Sequence, residues 1–138
     1  MTSILTPVLA LVAWSLVVWF FMYVTRIPAM QKSGIDPQDA RFPGSLNVLP
    51  DAARQVADNY NHLMEQPTIF YALIFYLHLS SQADPINVQL AWAYVCLRIV
   101  HSLIQVTINR VALRFLVFAI SSLVLVALCV RAALALFA

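Results

Sequence analysis

The chain has 138 residues, 62% of them hydrophobic and only 10% charged, with a mean hydropathy of +0.84. One domain's length at that composition is an integral membrane protein, not a soluble globule. Eight Lys plus Arg against six Asp plus Glu leave a net charge of +2, too small to imply a nucleic-acid partner, and the two glycines, Gly34 and Gly44, cannot build a Gly-rich phosphate loop.

The first apolar run, Ile4 to Val24, carries Trp14 and Trp19 and no charge. It has about the ~20 residues a spanning helix needs. Without a basic leader or a nearby small-residue cleavage site it reads as a retained helix over about 4–25, stopped by Arg26 and Pro28. Prolines 28, 37, 43 and 50 and both glycines then mark residues 26–51 as a long loop, folded on the helix ends or functional.

A second helix is expected over about 52–80, with Asp51 as N-cap and Pro67 as a kink. At 1.5 Å per residue it would run roughly 45 Å, longer than the ~30 Å hydrocarbon core. Its first half carries Arg54, Asp58, Asn61 and Glu65 at i, i+4, i+7 and i+11, a polar stripe along one face that must meet protein or a water-filled cleft. Ser80, Ser81, Asp84 and Pro85 form a turn.

A third helix over about 86–107 repeats the spacing with Tyr94, Arg98, His101 and Gln105. After a turn at Asn109 and Arg110, a fourth runs over about 111–137, with Arg114 near its start and Arg131 near its end. The expected fold is therefore all-α, a single four-helix integral membrane bundle. Cys96 and Cys129 lack metal-type spacing and read as small buried hydrophobes.

Basic residues flank the first and third loops and not the second, which puts those two loops in the cytoplasm and both termini on the other side. The polar stripes then converge in one cytoplasmic-side layer: Arg54, Asp58, Asn61, Glu65, Arg98, His101, Gln105, Arg110 and Arg114.

The segments Asn61-His-Leu-Met-Glu65-Gln-Pro67 and Arg98-Ile-Val-His101-Ser-Leu-Ile-Gln105, followed by Arg110 and Arg114, resemble the family of membrane-associated proteins in eicosanoid and glutathione metabolism, in a bacterial-type member. The resemblance covers nearly the whole chain. It implies a homotrimer among membrane lipids, here of a bacterial inner membrane, with glutathione as co-substrate between subunits and a lipophilic second substrate. It also implies roles. Arg114 matches the arginine that stabilises the glutathione thiolate; Asn61 or His62 with Glu65 matches an Asn/Glu pair, Arg98 and His101 a helix-three motif, and Arg110 a second basic residue. Asp39 resembles a loop aspartate of one branch. Gln105 and Phe118 stand where other members place tyrosines, and Arg54 lies one turn further back than the usual helix-two arginine.

The residue chemistry by itself agrees with glutathione binding. Arg54, Arg98 and Arg110 offer guanidinium forks to two carboxylates, and Glu65 offers an acceptor to the amine. Blander readings stand beside it: Arg98 with Glu65 as a buried structural ion pair, Arg110 and Arg114 as positive-inside anchors, His101 as a hydrogen-bonded interior residue, Asp39 as a turn or cap residue. No metal site is expected. The leading function is a glutathione transferase or lipid hydroperoxide peroxidase. The alternatives are a non-catalytic binding or scaffold protein of the same fold, and a small transporter, for which the apolar outer half supplies no continuous polar path.

Overall fold

The computed structural model describes residues 3–34, 38 and 49–137, and these residues are helical apart from short connections. Asp39 lies outside them. The first helix, α1 (Leu5–Lys32), packs along α2 (Asp51–Leu63); α3 (Gln66–Leu79) follows after a break; α4 (Pro85–Val106) packs along α5 (Val111–Leu136). Both α1 and α5 are long and apolar enough to cross a membrane. Leu9, Leu16 and Phe20 of α1 and Leu123, Val126 and Val130 of α5 are exposed on the outside of the bundle. In hydrocarbon such an apolar outer face is at no disadvantage.

The core runs through the middle of the bundle: Leu11 and Val18 of α1, Leu63 of α2, Phe70, Ile74 and Leu77 of α3, Tyr94 and Val95 of α4, and Leu125 and Leu128 of α5. The Phe70 and Tyr94 rings stack at 4.5 Å.

The helix ends differ from the sequence expectation at three places. Helix α1 does not stop at Arg26 and Pro28 but continues to Lys32 with Pro28 inside it. A proline removes one backbone donor and need not end a helix. The stop comes at Gly34, whose φ of +69° supplies the left-handed residue that helix ends favour. Pro50, not Asp51, is the N-cap of α2; Asp51 is its first residue, where a negative charge suits the helix dipole.

The second helix is broken, not merely kinked. Pro67 sits in the first turn of α3, and its ring would meet the carbonyl four residues back, that of Leu63, where α2 ends. Glu65 takes φ −90° and ψ −93° between the two pieces, and the Thr68 hydroxyl donates to its carbonyl at 2.6 Å. Helix α4 starts as a capped helix: the Asp84 carboxylate accepts from the Asn87 N–H at 2.8 Å.

Cys96 and Cys129 are exposed, which corrects the expectation of burial. Periodicity in an apolar run cannot separate a core face from a lipid face, since both are apolar.

Candidate functional site

The two polar stripes take opposite positions. On α4, Tyr94, Arg98, His101 and Gln105 are all buried, so the spacing read in the sequence does mark an inward face. On α2 the outcome is the reverse. Arg54, Asp58, Asn61 and Glu65 are exposed, and the helix turns Ala53, Ala57, Asn59 and Leu63 inward. The small residues Ala53 and Ala57 let α1 and α2 approach closely, and that packing decides which face is buried.

One cleft of about 300 Å³ gathers much of the expected set. It is lined by His62, Glu65 and Gln66 from the α2–α3 break, Arg98 and His101 from α4, and Arg114, with Val111, Phe115 and Phe118, from α5. Gln105 stands behind it, with its Oε1 3.0 Å from His62 Nδ1. Arg54 and Asn61 lie on the exposed flank of α2 outside the lining, and Arg110 is the exposed N-cap of α5.

The break between α2 and α3 exposes backbone polar groups, and the cleft uses one of them. Arg98 Nη2 donates to the His62 carbonyl at 3.2 Å. The guanidinium is otherwise unmatched: Nε and Nη1 are buried and have no partner among the described residues, and Arg98 is 1% exposed. No carboxylate pairs with it there, so the structural Arg98–Glu65 ion pair considered from sequence does not form. Phe118 offers its ring instead, 5.9 Å from the guanidinium carbon, which is a cation–π contact. The His101 ring lies 6.1 Å from His62 and 6.2 Å from Phe118, with Nδ1 unpartnered.

Arg114 is held from below. Asn109, at φ +48°, is in the left-handed region that asparagine tolerates, and its Oδ1 accepts from Arg114 Nη1 at 2.7 Å. The turn thereby aims a guanidinium across the first turn of α5, where the helix dipole is already positive. The cleft is edged by two guanidiniums, two imidazoles and one carboxylate, and so offers donors to an anionic group and an acceptor to a cationic one.

Two polar residues that brace the cleft were given no role there from sequence. Gln66 accepts from the Tyr94 hydroxyl at 3.2 Å and donates to Ser122 Oγ at 2.9 Å, tying α3 to α4 and α5 beside the cleft. It lies off the stripe, and only the break at Glu65 turns it inward; the adjacent Pro67 is the one local signal. Asn109 was read as a turn marker, and its grip on Arg114 follows from that turn.

The opposite end of the bundle is fastened separately. Arg131 Nη2 pairs with Asp84 at 2.9 Å and its Nε donates to Asn87 Oδ1 at 2.7 Å. Hydrogen bonding from the Asn87 backbone, assisted by Arg131, holds the Asp84 carboxyl below its ordinary value of 3.8. His78 is exposed near that end of α3.

No curated protein and no solved structure matches the chain. A family match does extend over residues 4–134, from the start of α1 almost to the end of α5, and so takes in every residue of the cleft. With that coverage, and with an all-helical bundle that has two membrane-length helices, the chain belongs to the MAPEG family, the membrane proteins of glutathione and eicosanoid metabolism.

Proposed function

We propose that the protein is a membrane-embedded glutathione transferase or lipid hydroperoxide peroxidase, with the cleft at the α2–α3 break as its glutathione site. One observation carries the reading. His62, Glu65, Arg98, His101 and Arg114 lie far apart in sequence, and all of them line one cleft. The unmatched donors of Arg98 suit a carboxylate, which a guanidinium binds through charge-assisted hydrogen bonds. Glu65 at the rim suits the ligand's amine.

Arg114 is the residue that stabilises the thiolate. A free thiol ionises near ~8.5, and each unit of lowering needs about 1.36 kcal/mol of preference for the anion. A guanidinium in a partly desolvated cleft supplies one or two units, because charges attract more strongly there than in water. The thiol proton leaves to water at the open mouth. The sulfur lone pair then forms a carbon–sulfur bond with a lipophilic electrophile while the leaving group departs with its bonding electrons. With a lipid hydroperoxide the thiolate attacks the terminal peroxide oxygen and the O–O bond breaks; the sulfur keeps that oxygen as a glutathione sulfenic acid, the departing alkoxide takes a proton from water to become the alcohol, and a second glutathione reduces the sulfenic acid to the disulfide and water.

A trimer suits the exposed flank of α2. Arg54, Asp58 and Asn61 would there face a neighbouring copy and complete the site, with Arg110 beside them. The first and third loops are cytoplasmic in this reading, and glutathione enters from that side.

A second reading has its own support. Among the described residues no tyrosine lines the cleft, and Phe118 faces Arg98, so a glutathione-binding protein without turnover fits the same residues. The test is titration of the detergent-solubilised protein with glutathione by calorimetry, followed by a model electrophile and a lipid hydroperoxide. Binding with turnover of either supports the enzyme; binding without turnover supports the second reading; no binding ends both.

A further inference from the structure

Reduction of a hydroperoxide makes a demand that no side chain has yet met. Breaking the O–O bond releases an alkoxide, a strong base, and an acid positioned to protonate it as it departs lowers the barrier. Besides Arg98, four ionisable side chains among the described residues line the cleft: His62, Glu65, His101 and Arg114.

Three of the four are unsuited. A guanidinium does not give up its proton. Glu65 is exposed at the rim, where the glutathione reading sets it against the ligand's amine. His101 is 3% exposed, and its Nδ1 is buried with no partner among the described residues. Protonated, it would hold a charge and an unmade N–H donor in that position, at a cost nothing around it offsets.

His62 differs on each count. It sits half-buried in the last turn of α2, beside the break, and its Nδ1 meets Gln105 Oε1 at 3.0 Å. Gln105 is 1% exposed, and the His62 carbonyl accepts from Arg98 Nη2 at 3.2 Å, so ring and backbone are both held. An amide oxygen that receives an Nδ1–H makes the same contact with the imidazolium and with the neutral ring whose lone pair is on Nε2. A proton can thus come and go on Nε2 with no change of partner. That nitrogen has no partner among the described residues and keeps accessible surface, and the residue lines the cleft with Arg114. At about 300 Å³ the cleft is at the small end of ligand sites, so a ligand that fills it touches every wall.

We propose that His62 is the general acid of the hydroperoxide reaction and Gln105 its positioning residue. The proton that water supplies to the alkoxide passes through Nε2. As the thiolate takes the terminal oxygen and the O–O bond breaks, the imidazolium Nε2–H gives its proton to the departing oxygen, and the alcohol leaves. The neutral ring takes a proton from water at the open mouth, and the hydroxide left behind is neutralised by the proton that the thiol released. This step rests on the glutathione reading and names the class of second substrate that suits it: one whose leaving group is a strong base, as in an alkyl hydroperoxide, over one that loses a stable anion.

The experiment uses the full-length protein in detergent, with glutathione binding measured first by calorimetry. At saturating glutathione, a lipid hydroperoxide is compared with chlorodinitrobenzene, whose chloride leaves without a proton. In His62→Asn the ratio of hydroperoxide kcat to aryl-halide kcat should fall about a hundredfold, the worth of a positioned acid. Gln105→Leu should lower the same ratio by a smaller factor. Free imidazole should restore hydroperoxide turnover to His62→Asn without raising the aryl-halide rate, which a merely structural role would not produce. Equal falls with both substrates, or a fall that imidazole does not rescue, would overturn the proposal and leave the glutathione site standing. So would a wild type that binds glutathione and reduces no hydroperoxide. If His62→Asn does not fold, Gln105→Leu decides, and an unchanged ratio there overturns the proposal. A wild type that binds no glutathione ends both readings.

Discussion

Replacing Arg98 by methionine separates what the cleft costs from what it does. In the free protein the guanidinium is 1% exposed, makes one hydrogen bond to the His62 carbonyl at 3.2 Å, and leaves Nε and Nη1 unpartnered. The substitution gives up that charge-assisted bond, about 1.5–3 kcal/mol, and the contact with the Phe118 ring, about 1 kcal/mol. It relieves two unmade donors at about 1–3 kcal/mol each and a desolvated charge at several kcal/mol. Even at their low ends the relieved costs exceed the losses, by about 1 kcal/mol or more, so Arg98→Met should raise Tm by at least a few degrees. Glutathione binding should move the other way, weakening by about a hundredfold with the loss of a two-pronged guanidinium–carboxylate contact. Thermal unfolding in detergent, with and without glutathione, reads both. Wild type should be stabilised by about 2.7 kcal/mol when glutathione is at a hundred times its Kd, and Arg98→Met should show almost none of that gain. A variant that melts lower and still gains from glutathione as wild type does would refute the reasoning, because Arg98 would then be a structural residue.

Gln66→Leu should destabilise by about 1–2 kcal/mol, since it removes the bonds to Tyr94 and Ser122 and orphans a buried phenol; adding Tyr94→Phe should recover part of that loss in the same melting assay. Asp84 ionises more readily in the fold than out of it, so its contribution is complete above its ordinary value of 3.8 and is lost as the pH falls through the lower folded value. Melting temperature below pH 4 should therefore fall less steeply in Asp84→Asn than in wild type, by a small margin because the Arg131 pair is half exposed. Gly34→Ala has open space for its methyl group but a φ of +69°, so it should cost about 1 kcal/mol and fray the end of α1.

How legible the molecule was in its sequence depended on what each residue had to satisfy. The starts and ends of α4 and α5 came out within a residue or two, because Asp84-Pro85 and Asn109-Arg110 are strong local signals. The buried face of α4 was equally readable: four polar residues at helical spacing in an apolar helix have only one direction to face. On α2 the same spacing does not mark an inward face of the single chain, since a helix of mixed composition can turn its small residues to a neighbouring helix and leave its charges on the outer flank. Proline misled twice, in opposite senses. Pro28 was absorbed within α1, whereas Pro67 broke the helix at Leu63, and local sequence does not distinguish a ring that its surroundings accommodate from one that they do not. Gln66 and Asn59 owe their positions to that break and to helix packing, so nothing in their spacing announced them.

The central claim is that the cleft binds glutathione and that Arg114 makes its sulfur a thiolate. Ultraviolet difference absorbance of glutathione on wild type and on Arg114→Met at neutral pH tests it most directly. The account predicts a thiolate band on wild type, and its loss in the variant while calorimetry still finds glutathione bound within about tenfold of the original affinity. An undiminished band in Arg114→Met, or no glutathione bound to wild type, would contradict it.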